Sequence, residues 1–189
     1  MGRWEPNAHD RLAIAALDLF AERGYDSTTV AEIAERAGLT KRTFFRHFAD
    51  KREVLFGGQE MLIRLLRDTI AGAPESASPL EAIGTALDEI GVFFGPERLE
   101  WSKRRQAVID DHRELREREL LKSATLAATM AAALRERGVP ELTAGLAAEV
   151  GNLAFHTGFT RWLAADGTRE FPDAVRAALK ELQAALPDI

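Results

Sequence analysis

Two short helical stretches separated by only three residues constrain this chain more than any other feature. Thr29-Val30-Ala31-Glu32 is a capping box, a hydroxyl residue followed three positions later by glutamate. Behind it Val30, Ile33, Ala34 and Ala37 repeat at helical spacing as a buried stripe. Gly38 ends that helix, and after Leu39 the hydroxyl of Thr40 caps the next one. Helix, glycine-containing turn, helix is the pattern of a helix-turn-helix, whose second helix enters the major groove of DNA.

That second helix, Thr40 to Phe48, places Phe44 and Phe48 one turn apart on a buried side and turns Lys41, Arg42, Thr43 and Arg46 outward. An aromatic anchor on one face and basic, hydrogen-bonding residues on the other suit a groove-reading helix.

Charge at first argues the other way, because the formal net charge is -5 and affinity for phosphates comes from cations. Its distribution resolves the conflict. Arg36, Lys41, Arg42, Arg46, Lys51 and Arg52 face a single acid, Asp50, within one segment. A local positive patch on an acidic protein limits non-specific binding while keeping attraction at one surface; the alternative is an ordinary solvated helix face.

Hydrophobic residues make up 46% of the 189, enough for a real core and too many for general disorder. The chain has no cysteine, which excludes disulfides, thiolate metal sites and cysteine nucleophiles and fits a reducing compartment. No uncharged apolar run approaches the roughly 18 residues of a membrane span, and the N-terminus lacks a signal-peptide pattern. A soluble, cytoplasmic protein without membrane contact is expected.

Met1 to Ala8 reads as a short flexible arm, with Arg3 its one candidate phosphate contact. A first helix runs from about Asp10 to Arg23 on Leu12, Ala13, Ala16, Leu17 and Phe20, and Gly24 stops it. Asp50-Lys51-Arg52-Glu53 is expected to cap a longer fourth helix carrying Val54, Leu55, Leu62, Leu65 and Leu66. Further on, Ser78-Pro79 opens a helix to about Phe94, and Gly95-Pro96 resets the chain. Helices from about Pro96 to His112 and Arg113 to Arg137 follow, the second with Leu120, Ala124, Ala127, Met130, Ala131 and Leu134 as its stripe. The last two are expected over Leu142 to Ala165 and Pro172 to Leu186.

Residues from about 10 to 56 resemble the N-terminal domain of the TetR family of bacterial transcriptional regulators. The resemblance rests on Arg11-Leu12-Ala13, Gly24-Tyr25, Thr28-Thr29-Val30, Ile33-Ala34, Ala37-Gly38-Leu39-Thr40, Phe44-Phe45-Arg46-His47-Phe48 and Asp50-Lys51, in that order. It implies an all-α protein: a three-helix DNA-binding domain over 1-56, with the fourth helix linking from about 51, and a helical ligand-binding and dimerisation domain over 57-189. It also implies no enzymatic activity and no cofactor. Expected partners are a palindromic double-stranded DNA operator and a small-molecule effector, for a protein acting as a repressor.

Roles at the matching positions follow from chemistry. Thr29 and Thr40 stand at helix N-termini, which favour phosphate oxygens, or serve only as caps. Lys41, Arg42 and Thr43 occupy the first turn of the recognition helix; Arg42 is the expected base reader, through guanine O6 and N7, and the Thr43 methyl can meet thymine. Arg46, His47 and Lys51 are placed for phosphates. Where the family often has a tyrosine whose hydroxyl reaches phosphate, this chain has Phe45, left to pack on the sugar-phosphate rim or within the domain.

In the last two helices Ala147, Gly151, Ala154 and Gly158 form a small-residue stripe beside Leu146, Val150 and Leu153, opposite Val175, Ala178, Leu179, Leu182 and Leu186. Two such helices per subunit would make a four-helix dimer bundle; an internal seam of one subunit is the alternative. Phe155, Phe159 and Trp162, with Phe93, Phe94, Trp101 and Met130, either line an apolar effector cavity or make up core. His156 is a candidate polar ligand contact, and neither it nor His112 matches a metal-ligand spacing. The rival class, a helical-bundle enzyme or carrier, lacks a glycine-rich phosphate loop, a nucleophile motif and a metal pattern.

Overall fold

A computed structural model describes residues 7-185. The expected Arg3 contact and the end of the last helix at Leu186 therefore lie outside the described residues. Nine α-helices and no strands occur among the described residues: α1 (Ala8–Arg23), α2 (Val30–Arg36), α3 (Lys41–His47), α4 (Gln59–Gly72), α5 (Pro79–Ile90), α6 (Leu99–Asp111), α7 (Arg113–Glu136), α8 (Glu141–Ala164) and α9 (Phe171–Ala185). None of them is long and apolar enough to cross a membrane.

The caps act where their residues stand. The Thr29 and Ser78 hydroxyls accept from the backbone N–H groups of Glu32 and Glu81, whose carboxylates accept from the cap N–H groups in return. Three boundaries differ from the sequence expectation. Asp50 accepts from the Glu53 N–H, but the turn it opens is a 3-10 helix, Arg52–Leu55, and α4 starts only at Gln59. Gly58, at a left-handed φ of +88°, separates the two where a side chain would strain the backbone. The fifth helix likewise stops at Ile90 and continues as a 3-10 turn over Gly91–Phe93, and Pro96–Arg98 is a 3-10 turn before α6.

The chain divides into two compact units, each discontinuous in sequence. Residues up to 58 join 103-119 in the first, and 59-102 join the chain from 120 onward in the second. In the first unit, Leu12, Leu17 and Phe20 of α1 are buried with Ile33 of α2 and Phe44 of α3. The reason 103-119 belongs there lies in its arginines. Buried Arg105 donates Nε to the Leu55 carbonyl at 2.7 Å and Nη2 to Glu119 at 2.6 Å. Arg118 pairs with both carboxylate oxygens of Glu53, at 2.7 and 2.9 Å. The two guanidinium groups lie 5.1 and 4.8 Å from the centre of the buried Phe56 ring, a cation–π arrangement on an anchored aromatic.

The same unit holds Lys51. Its Nζ donates to the carbonyls of Tyr25 at 2.6 Å and Thr28 at 3.0 Å and stands 4.1 Å from the Tyr25 ring centre. The ammonium thus fastens the loop before α2 to the segment after α3.

The second unit packs α4, α5, α8, α9 and the apolar part of α7 on one core that includes Leu66, Ile70, Ile83, Leu87, Leu134, Trp162 and Phe171. Arg137 donates to the carbonyls of Ile70, Ala73 and Pro74, satisfying acceptors that the end of α4 leaves open. The expected α7 stripe holds at Ala127, Met130, Ala131 and Leu134 and fails at its first two members. Leu120, 71% exposed, and Ala124 face outward, and the positions of α7 buried after them are Leu126, Ala127, Met130, Ala131, Ala133 and Leu134. Leu120 precedes the apolar part of the helix that packs on this core.

The small-residue stripe of α8 is an internal seam of the subunit. Ala147, Gly151, Ala154 and Gly158 are all buried. A Cβ on Gly151 would stand 2.5 Å from Ile83 and 3.4 Å from Met130, and one on Gly158 would stand 2.6 Å from the Val175 Cα. Small residues admit close approach, but the helices that approach are α5, α7 and α9 of the same chain.

Gly158→Ala should therefore force α9 away from α8 and cost about 1–3 kcal/mol of stability in chemical denaturation. Gly145→Ala, on the same helix with nothing within 4 Å of its new Cβ, should instead stabilise by roughly 0.5–1 kcal/mol through helix propensity. Equal effects of the two would contradict this seam.

Candidate nucleic-acid interface

The recognition helix α3 has seven residues, too few to persist alone in water. Two features hold it. The Thr40 hydroxyl accepts from the Thr43 N–H at 3.1 Å, and the Phe44 ring, fully buried, lies 5.5 Å from Phe48 and from Phe45. With Phe44 fixed inward, the helical repeat leaves Lys41, Arg42, Phe45, Arg46 and His47 exposed and Thr43 half-buried.

The expected DNA contacts divide by what already occupies them. Lys41, Arg42 and Arg46 have no acidic partner among the described residues; Lys41 only leans over the Phe45 ring at 6.0 Å. Phe45 is half exposed beside them, on the outer face of the helix rather than within the domain. The Thr40 and Thr43 hydroxyls lie 3.0 Å apart, and the Thr29 hydroxyl donates to Glu32 at 2.8 Å, so all three are engaged in helix starts. Lys51 is held by the Tyr25 and Thr28 carbonyls. The ammonium expected at a phosphate thus already gives two of its three protons to backbone carbonyls.

The positive patch is accordingly smaller than six cations. Arg36 is held by Glu22 at 2.9 and 2.8 Å, and that pairing keeps the Glu22 carboxyl below its ordinary range. Arg52 faces Asp50, Glu53 and Glu114. What stays open to an outside anion is the outer face of α3.

His47 ends that face. Its ring is edge-on to His9 of α1 at 6.3 Å, and His9 in turn lies 4.7 Å from Phe48. Partial burial, then the neighbouring Arg46 and His9 charges, hold the His47 pKa below its ordinary value. His9 carries no signal in sequence, because it precedes the periodic part of α1.

A second candidate site lies in the second unit. Phe94, Phe155, Phe159 and Trp162 do come together, joined by Phe171, whose ring stacks on Phe94 at 4.3 Å. Phe171 is legible in principle, one turn before Val175 on the buried face of α9. Three expected members lie apart from this cluster: Phe93 and His156 are exposed, and Trp101 carries Arg98 over its ring at 5.8 Å. Met130 is buried near the position of Gly151. In the first unit His112 stands 3.0 Å from the Val108 carbonyl and against the Tyr25 ring.

Comparison with known proteins follows the same division. Residues 14–56 match the family described as bacterial regulatory proteins, tetR family. The chain is 39% identical over 78 residues to the HTH-type transcriptional regulator TcmR of Streptomyces glaucescens, covering 41% of this chain and 34% of that protein. It is 38% identical over 78 residues to the HTH-type transcriptional repressor KstR2 of Rhodococcus jostii, covering 39% of this chain and 38% of that one. The chain thus spans little more than a third of the length of these curated relatives. Among solved structures, the complex of SmeT with triclosan superposes with a TM-score of 0.66 at 19% identity, over 95% of this chain and 91% of the other, a likeness of fold. The family match thus covers the helix-turn-helix segment, residues 14–56, and over the rest of the chain the likeness to solved structures is one of fold.

Proposed function

We propose that the protein is a cytoplasmic, homodimeric, sequence-specific DNA-binding transcriptional regulator, a repressor released from a palindromic operator by a small apolar or aromatic ligand. The observation that carries this reading is the outer face of α3, where Lys41, Arg42 and Arg46 stand exposed with no acidic partner among the described residues. Exposed cations held over an aromatic anchor are placed to exchange water and counterions for phosphate and base edges.

Within that reading Arg42, in the first turn, reads guanine, with Lys41 and Thr43 at neighbouring bases. Arg46 and His47, a turn further on, meet phosphates. Phe45 covers the sugar-phosphate rim, and the N-termini of α2 and α3, capped by Thr29 and Thr40, direct their N–H groups at phosphate oxygens.

A palindrome requires two copies, with recognition helices about 34–36 Å apart. The proposed contact is the outward face of α8, where Leu142, Leu146 and Leu153 are 85%, 57% and 50% exposed, together with the outward face of α9. Three exposed leucines within a few turns of one helix form an apolar surface that water solvates poorly. The effector is proposed to enter among Phe94, Phe155 and Phe159, the partly buried members of the aromatic cluster. To release DNA it must bind the DNA-incompetent arrangement more tightly, and a coupling of about 1–3 kcal/mol changes operator affinity roughly 5- to 150-fold.

Binding measured on a preferred site and on mixed-sequence DNA over a range of salt tests the assignments. Arg42→Ala should narrow the gap between the two by about 1–3 kcal/mol per altered base pairing. Arg46→Ala should weaken both alike and lower the salt slope by about 0.9 for each phosphate it leaves unneutralised. Lys51→Met should lose affinity only in step with a folding loss of about 1–3 kcal/mol. Uniform losses for Arg42→Ala, or weakened binding by a fully folded Lys51→Met, would contradict these roles.

Light scattering tests the dimer. Leu146→Glu with Leu153→Glu should give a folded monomer whose affinity for a palindrome falls to that for a half-site. A variant that stays dimeric would move the interface off this face of α8.

A further inference from the structure

The one ionisable side chain on the outer face of α3 that titrates near neutral pH is His47, and its surroundings are cationic. Arg46 precedes it on the same helix, and His9 faces it from α1 with ring centres 6.3 Å apart. The Asp10 carboxylate lies 3.5 Å from Nδ1 of the ring partner, His9. His9 is itself fixed in place: its ring rests on Phe48 at 4.7 Å, and a Cβ on Gly57 would stand 2.6 Å from it. No acidic side chain among the described residues pairs with His47.

From this arrangement we propose that His47 takes up a proton when DNA binds, so that a DNA phosphate becomes the counter-ion the free protein lacks and operator affinity falls as pH rises through neutrality. The inference rests on the DNA-binding reading above. Carbonyls at the end of α3 favour a cation at His47, yet burial, Arg46 and His9 together hold its pKa below the ordinary value in the free protein. A phosphate beside the ring acts in the opposite direction and raises it. Between the two values free His47 is neutral and bound His47 is charged, so each protomer gains one proton on binding. Affinity then drops by up to about tenfold per pH unit per protomer in that window, and is flat above and below it.

His9 has a separate, positioning role. It does not meet the DNA; it makes protonation of His47 unfavourable until a phosphate arrives. Removing its ring would let free His47 charge more readily, so less proton uptake would accompany binding.

The test is binding of a fluorescent mixed-sequence duplex at low salt from about pH 6 to about pH 8, alongside NMR titration of the His47 ring in the free and DNA-bound protein. Wild type should weaken roughly three- to tenfold per protomer across that range, and the His47 resonance should titrate at higher pH when DNA is bound. His47→Gln should bind with a nearly flat pH profile. His9→Gln should show a shallower profile than wild type and a higher His47 titration midpoint in the free protein. A pH profile unchanged by His47→Gln, or a His47 midpoint unmoved by DNA, overturns the proton linkage while leaving DNA binding intact. No change of the His47 midpoint in His9→Gln overturns the role given to His9. Absence of duplex binding by wild type at every pH overturns the DNA-binding reading and this inference with it.

Discussion

The burial of Phe44 is the contact on which the candidate interface depends. A seven-residue helix with four open N–H groups at one end and four open carbonyls at the other has little stability of its own. Packing of the Phe44 ring against Phe48 in the first unit supplies what propensity does not. Because a helix has a fixed angular repeat, fixing one buried residue fixes the direction of all the others. The outward aim of Lys41, Arg42 and Arg46 is in that sense a consequence of one aromatic side chain.

Which cations remain open to a partner is decided by a second layer of contacts. Six basic residues lie between Arg36 and Arg52, but Arg36 is held by Glu22, Arg52 by its neighbouring acids, and Lys51 by two backbone carbonyls. The exposed ion pairs among these contribute little to stability; together the three ties remove charges from the surface proposed to meet DNA. Arg105 and Arg118, closed around Phe56, bring 103-119 into the same compact unit as the helix-turn-helix. The chain thus crosses between the two units just before α4, within α6 and within α7.

The helix-turn-helix is legible in sequence because its determinants are local. Capping boxes, a glycine turn and an aromatic pair one turn apart are all relations over a few residues, and the structure keeps each of them. Relations that span the fold are not legible in this way. The carbonyls that hold Lys51 lie 26 and 23 positions away, and periodicity has no access to such distances. The small-residue stripe on α8 is a close-approach surface, as its composition implies, but composition alone does not say whether the approaching helix belongs to the same chain. Of the aromatic candidates, those on the inward face of α8 meet Phe94. Phe93 lies in a 3-10 turn, where no helical repeat orients its side chain, and Trp101, in the first turn of α6, lies under Arg98 instead.

Selection of bound sequences from a randomised DNA pool tests the central claim most directly. A dimer whose two α3 helices read successive major grooves should enrich an inverted repeat with half-site centres about 10–10.5 base pairs apart, or a multiple of that. Failure of the folded dimer to enrich any sequence, at low and at physiological salt, would contradict a specific regulator and leave the exposed cations of α3 without the partner assigned to them.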